Sequence, residues 1–377
     1  MTKTPRKSPA RATPSIIDTM SDPTIWGDWF RGRRRLLKPF TKAEPTWDAW
    51  KSFVKAMFGL QLDEAELATF RQCTGRSAPR PEGYLDTTLV IGRRGGKSRV
   101  LALIAAYLAM FRDWTPFLAP GERAHVVIIA ADRRQAQSIF RYLKAFLTIP
   151  LFGDLIERET QEVLDLRNLV TVEVMTANFK TVRGRTVVAA LLDELAFWPT
   201  NEESANPDSE IIGALRPAMS TVPGAMMLKA SSPHAKKGVL YDDFKKHFSR
   251  DSTTLVWQAS TRTMNPTVPE AYIAAETEKD PELAAAEYGA QFRDDLASFI
   301  PREVVERAVA PGRYELQPHQ GIQYIGFVDA AAGTGGDSFT AAIAHKGPNG
   351  KSVLDLVREY RSPFSPSEVI KEICGEL

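Results

Sequence analysis

Leu89-Val90-Ile91-Gly92-Arg93-Arg94-Gly95-Gly96-Lys97-Ser98 is the stretch whose reading decides the fold. An apolar run feeds a glycine-rich turn, and the turn ends Gly-Lys-Ser at the start of a strongly helical segment, residues 97–111. Strand, small-residue turn and helix start together make a phosphate-binding loop. Backbone N–H groups can approach an anion closely, the helix N-terminus attracts negative charge, a lysine here can reach β- and γ-phosphates, and a serine can ligate Mg²⁺. Gly92, Arg93, Arg94, Gly95, Gly96, Lys97 and Ser98 are therefore the expected nucleotide-binding set. The common spacing G-x-x-x-x-G-K-[ST] would place glycine where this chain has Ile91. The plain alternative is a glycine-rich turn before a buried helix; the flanking strand and helix favour the phosphate loop.

Further along, Val187-Val188-Ala189-Ala190-Leu191-Leu192-Asp193-Glu194 is an apolar strand that ends in two carboxylates. In P-loop enzymes an acid at such a strand end holds Mg²⁺, and a second carboxylate can orient and deprotonate the attacking water. Asp193 is the expected metal partner, with Ser98, and Glu194 the expected general base. The two motifs together imply nucleoside triphosphate hydrolysis, and glutamate as base leans towards ATPases of the helicase and translocase type.

The surroundings repeat the strand–helix rhythm. Residues 124–130 (AHVVIIA) form a continuous apolar strand followed by a helical pattern over 133–147, and 169–175, 187–192 and 225–230 are further strands. Apolar runs without alternation imply burial on both faces, as in a parallel sheet covered by helices, so the fold class is α/β. Upstream, Trp47, Trp50, Phe53, Val54 and Met57 share one helical face, and Asp63 is a plausible N-cap for a helix over 63–71. A second unit is expected late in the chain. Helical stretches near 270–293 and 301–309 lead to strands at 323–329, 339–346 and 351–358, the last two joined through Gly347, Asn349 and Gly350.

With 377 residues, 44% of them hydrophobic and 25% charged, the composition is that of a globular chain of two to three domains. Net charge is +2, yet residues 1–38 carry +6 and the remainder −4. Residues 1–40 are expected to be a basic, largely flexible arm, with structure beginning near Trp26. Such an arm can contact phosphates or acidic partners. The longest apolar run, residues 100–111, is too short for the roughly 20 residues of a membrane span. No apolar stretch follows Lys3, Arg6, Lys7 and Arg11 to make a secretory signal, and a cytoplasmic location is expected. Cys73 and Cys374 belong to no metal or redox motif, and the five histidines are scattered.

At these residues the sequence resembles the large terminase subunit of tailed bacteriophages, from about Phe58 to the C-terminus. The glycine-arginine-arginine turn at Gly92-Arg93-Arg94 resembles that family's phosphate loops, which often lack the first glycine. Other segments of the family are resembled by Ala177 and the residues to Gly184 before the acidic strand, by Ala230-Ser231-Ser232-Pro233 after a strand, and by Gly326-Phe327-Val328-Asp329 with Asp337 beyond. The resemblance implies an ATPase domain with a sheet of the additional-strand (RecA-like) class, then the start of an RNase H-like nuclease domain. It implies a finger-like catalytic role for Arg93, a coupling role for Ser231, Ser232 and Pro233, and Mg²⁺ or Mn²⁺ at Asp329 and Asp337. The implied partners are double-stranded DNA, a portal protein, a small terminase subunit and further copies in a ring, in the cytoplasm of a bacterial host. Trp257 and residues 261–266 (TRTMNP) also look family-like, with no physical role assigned.

The expected boundaries are an arm over 1–40, the ATPase domain over 41–298, a linker helix region over 299–320 and a partial nuclease domain over 321–377. The acids after Asp329 do not end new apolar strands, so nuclease activity is expected to be absent. Basic doublets at Arg133-Arg134, Lys236-Lys237 and Lys245-Lys246 can line DNA or lie on solvated faces. A DNA-stimulated helicase and a non-catalytic prophage remnant remain open readings.

Overall fold

In the computed structural model the described residues are 13–30, 47–131, 133–177, 184–198, 208–293, 305, 307–331, 338–348 and 350–376. Asp337, most of the expected 301–309 helix and residues 178–183 lie outside them. The chain divides into two compact units, Met1–Phe299 and Ile300–Leu377.

The first unit is built on an eight-stranded sheet of order β3-β4-β5-β2-β6-β7-β1-β8. Its strands are β1 (Asp86–Ile91), β2 (Ala124–Ala130), β3 (Ile156–Glu159), β4 (Val163–Leu166), β5 (Val170–Thr176), β6 (Thr186–Asp193), β7 (Met226–Ser231) and β8 (Thr254–Ala259). From β5 to β8 all neighbours are parallel, while β3, β4 and β5 form an antiparallel meander, so the sheet is mixed and not wholly parallel as expected. The meander escaped the sequence reading because IERE and VLDL are four residues each, too short to show a period. The core strands Val126–Ala130 and 187–193 are buried throughout, as their continuous apolar character demands.

Helices cover both faces. On one side lie α3 (Asp48–Met57), α4 (Glu64–Thr74), α5 (Lys97–Phe111) and α6 (Arg133–Leu147), whose Trp50, Phe53, Phe70, Leu101 and Phe146 join the larger apolar core. On the other, α7 (Asp208–Met219) and α8 (Gly238–His247) contribute Ile211, Leu215 and Leu240 to a second core with Val90, Val127 and Leu192. Trp257, which had no assigned role, is a wholly buried core residue of β8 between Phe53 and Phe70.

The arm needs correcting. Residues 16–21 form α1 (Ile16–Ser21), opened by a capping box in which Ser15 and Asp18 satisfy each other's backbone N–H groups. A second short helix, α2 (Gly27–Phe30), follows. Trp26 is fully buried against Phe111 and Phe146, and its indole N–H donates to the Phe146 carbonyl at 3.0 Å. A six-residue helix offers too few turns for a periodic signal; the Ser-x-x-Asp cap was the readable clue.

After β8 the chain runs through α9 (Thr261–Met264), α10 (Glu270–Lys279) and α11 (Pro281–Glu287). In the second unit an antiparallel sheet, β11-β10-β9, combines β9 (Tyr324–Asp329), β10 (Phe339–Lys346) and β11 (Ser352–Tyr360). The helix α12 (Pro366–Glu376) packs Val369 and Ile373 on Phe339 and Ala341. Asp329 ends an exposed strand: β9 is the sheet edge, and Ile325 and Phe327 are 68% and 70% exposed. Its apolar run resembles a strand covered on both faces, but among the described residues α12 covers only one.

Candidate nucleotide site

The parallel strands end their carboxyl edges together, the place where open α/β sheets bind ligands. Strand order settles which ends meet. β7 lies between β1 and β6, with Val90 opposite Ser231 and Asp193 opposite Ala230. The glycine-rich turn after β1, Ser231-Ser232 after β7 and Asp193-Glu194 after β6 are thereby neighbours, although chain order separates them widely.

The loop is shaped by its small residues. A Cβ on Gly92 would stand 2.4 Å from Thr261 Oγ1 and 2.7 Å from the Tyr288 carbonyl, and one on Gly95 would stand 2.6 Å from Ile91 Cγ2. Ile91, at the place of the missing glycine, is simply the buried last residue of β1, and Gly92 meets the steric demand one position later. Gly96 caps α5 at φ 100°, and Arg94 takes φ 64°, a left-handed conformation that costs a non-glycine residue about 1–2 kcal/mol. The N–H groups of Gly92, Arg93 and Gly95 donate to Ala259, Glu287 and Gly92 carbonyls at 3.1, 2.5 and 3.1 Å. Those of Arg94, Gly96, Lys97 and Ser98 have no acceptor among the described residues, which leaves them free for an anion. From behind, the Trp50 indole N–H donates to the Gly95 carbonyl at 2.8 Å.

Lys97 is almost fully buried, its ammonium donating to the Ile91 carbonyl at 3.0 Å and standing 3.9 Å from Glu194 Oε1. Glu194 adopts φ 50° and ψ 43°, a left-handed turn that separates its direction from that of Asp193. Glu194 Oε2 accepts from Ser231 Oγ at 3.1 Å and from the Ser232 N–H at 3.4 Å. Ser231 Oγ in turn accepts the Ala196 N–H at 3.2 Å, and the Trp198 indole donates to the Asp193 carbonyl at 3.0 Å. The structure thus brings Lys97, Glu194, Ser231 and Ser232 together and buries Pro233 beside them.

Asp193 is 3% exposed, and its Oδ1 has no hydrogen-bond partner. Burial, with a smaller push from the Glu194 charge, raises its pKa to about 7; Lys97 pulls the other way. An orphaned carboxylate oxygen of this kind, with the Ser98 hydroxyl at the start of α5, fits Mg²⁺, which takes only one or two protein ligands beside phosphate oxygens.

A prediction follows from the sign of that shift. A carboxyl with a raised folded-state pKa is fully compatible with the fold below its unfolded value near 3.8 and costs stability as pH rises towards 7. Asp193→Asn removes the cost, up to about 4 kcal/mol above pH 7. Thermal melts of nucleotide-free protein should show the variant several degrees more stable at pH 8, with the gap narrowing at pH 5. A gap that widens at pH 5 contradicts the assignment.

Arg93 extends outwards, 66% exposed, with Nη1 3.0 Å from Glu287 Oε2, and that hydrogen bond pushes its pKa further up. Sequence reading missed Thr261, Asn265 and Glu287, which all touch this loop. The TRTMNP pattern was the only signal for the first two. In the second unit Asp329 is exposed, and the Asp355 carboxylate is taken by His345 Nδ1 at 2.7 Å. Among the described residues no group of three or more His, Cys, Asp or Glu is arranged to hold a metal. No described helix is long and apolar enough to cross a membrane.

Comparison with known proteins gives a likeness of fold. No family model matches the sequence, and no curated protein does. The chain is similar to the crystal structure of the bacteriophage HK97 large terminase, with a TM-score of 0.53 and 19% identity over 90% of this chain. It spans 66% of that protein, just under two thirds of its length. A looser match, TM-score 0.44 and 18% identity, is a mutant ATPase domain of the Thermus phage P74-26 large terminase, covering 64% of this chain and 98% of that one. The likeness to the HK97 large terminase is one of α/β fold.

Proposed function

We propose that the chain is the ATP-hydrolysing subunit of a viral DNA-packaging motor of the large-terminase kind. The observation that carries this reading is the convergence of Lys97, Asp193, Glu194, Ser231 and Ser232 at the ends of β1, β6 and β7. A loop with free N–H groups offers donors to phosphate oxygens, and Lys97 adds a nearly buried positive charge. Ser98 and Asp193 would hold Mg²⁺, which when bound would neutralise charge on the phosphate oxygens. Glu194, fixed through one oxygen by Ser231 and Ser232, keeps the other towards Lys97 and serves as acceptor for the proton of the attacking water.

The serine contacts also support a coupling role. Ser231 Oγ binds Glu194 on one side and the Ala196 N–H on the other, so any change at the Glu194 carboxylate is felt at the end of β7. Pro233 and the 234–237 connection carry that end into α8. Arg93 serves the proposed charge-stabilising role once it leaves Glu287. Double-stranded DNA, a portal protein, a small terminase subunit and a ring of copies are the partners in this proposal, in the cytoplasm of an infected bacterium.

The test is ATP turnover by the purified chain with and without linear double-stranded DNA. DNA is expected to raise the rate several-fold without strand separation. A rate indifferent to DNA, or unwinding of a forked duplex, contradicts the packaging-motor reading.

A further inference from the structure

A phosphate loop binds by turning N–H groups inwards, and it can do so only if the matching carbonyls are turned outwards and kept there. Here two carbonyls at the tip of the loop are each gripped by a side chain from a distant segment. Thr261 Oγ1 donates to the Arg93 carbonyl at 2.7 Å, and Asn265 Nδ2 donates to the Arg94 carbonyl at 2.8 Å. The residues lie 168 and 171 positions from their partners, so nothing local to the loop requires these bonds.

The gripping segment is itself fixed. Ser260 caps α9 by accepting the Thr263 N–H at 3.2 Å, and the Thr261 N–H donates to the Tyr288 carbonyl at 2.8 Å. Met264 is buried beneath, its sulfur 3.4 Å from the Trp257 indole nitrogen. Asn265 Oδ1 accepts from Thr267 Oγ1 at 2.6 Å and from its N–H at 3.3 Å, which orients the amide with its NH₂ towards Arg94. Arg94 is the residue in the left-handed conformation, and its own N–H is free together with those of Gly96, Lys97 and Ser98. The fit is close enough that only glycine is tolerated at 92, against Thr261.

We infer that Thr261 and Asn265 are positioning residues for nucleotide: they hold the Arg93 and Arg94 peptides so that the loop is already shaped for phosphate before ATP arrives. The inference rests on the nucleotide-binding reading above. Neither side chain is required to touch ATP. Losing either grip leaves Lys97, Asp193 and Glu194 intact but lets the loop peptides rotate, so binding suffers more than the chemical step.

The test uses the full chain and steady-state phosphate release over a range of MgATP concentrations. Thr261→Val, which keeps shape and loses the donor, and Asn265→Ala are each expected to raise KM for ATP about tenfold while kcat falls less than threefold. Thr261→Ser, which keeps the hydroxyl, is expected to restore the wild-type KM. Melting temperatures of the three variants accompany the kinetics. Unchanged KM in both Thr261→Val and Asn265→Ala overturns the inference, as does a fall in kcat with no change in KM. A failure of Thr261→Ser to recover KM while its melting temperature matches wild type also counts against it. If Asn265→Ala proves unfolded, the Thr261 pair alone decides by the same outcomes. Wild-type protein that neither binds nor hydrolyses ATP would sink the nucleotide reading itself, a result distinct from active wild type with indifferent variants.

Discussion

Glu194→Gln should bind MgATP with near wild-type affinity and hydrolyse it 10²- to 10⁴-fold more slowly, the usual contribution of a positioned general base. The substitution preserves size, and its carbonyl oxygen can still accept from Ser231 Oγ and the Ser232 N–H, so the left-handed turn at residue 194 keeps its supports. What disappears is an anionic oxygen able to take a proton. Binding is carried elsewhere, by Lys97 and the N–H groups of the loop, and Glu194 approaches Lys97 only to 3.9 Å. Filter binding of ATP and phosphate release in the same preparation separate the two effects. Wild-type turnover in the variant removes Glu194 from the role of base. Lost binding together with lost turnover makes it a structural support of the loop.

Lys229→Ala should cost about 3–5 kcal/mol of stability, the range for stripping one partner from a buried ion pair. Lys229 lies in the middle of β7 with a fully buried side chain, its ammonium 2.6 Å from Asp86 Oδ1 and 2.6 Å from Asp243 Oδ2. Asp86 belongs to β1 and Asp243 to α8, so one cation ties the central strand to its neighbour and to the helix above. Thr88 Oγ1 adds a hydrogen bond to Asp243 at 2.8 Å, and Arg216 approaches Asp86 at 3.5 Å. Removing the cation leaves two carboxylates facing each other, only 23% and 15% exposed. Lys229→Met, which keeps the apolar stem, should be nearly as damaging, while adding Asp86→Asn and Asp243→Asn to it should recover most of the loss. Urea unfolding decides. A Lys229→Met protein as stable as wild type shows that the charge contributes nothing, and a triple variant no better than the single shows that packing was at stake.

These two residues mark what the sequence disclosed. The glycine-rich turn between strand and helix, the acidic strand end and the bounds of α5, α6 and β10 were legible because each rests on local signals: glycine spacing, a continuous apolar run, a helical period. Glu194 could be named before the fold was known. Lys229 could not, because a lysine inside MMLKAS gives no sign that its strand is inserted between β1 and β6. Strand order is a property of long-range pairing, and the grip of Thr261 and Asn265 on the loop depends on it in the same way. The short helix α1 and the β3–β4 meander were missed because four to six residues cannot display a period. The exposure of β9 was not legible because an apolar run reports what a strand can bury, not what covers it.

The central claim is that the turn after β1 and the acids after β6 form one ATP-hydrolysing site. Phosphate release from ATP by the purified chain in Mg²⁺, run beside Lys97→Ala, tests it most directly. The wild-type chain should release phosphate in many turnovers, with Lys97→Ala at background. A wild-type chain that releases none, or a Lys97→Ala chain that matches it, contradicts the account.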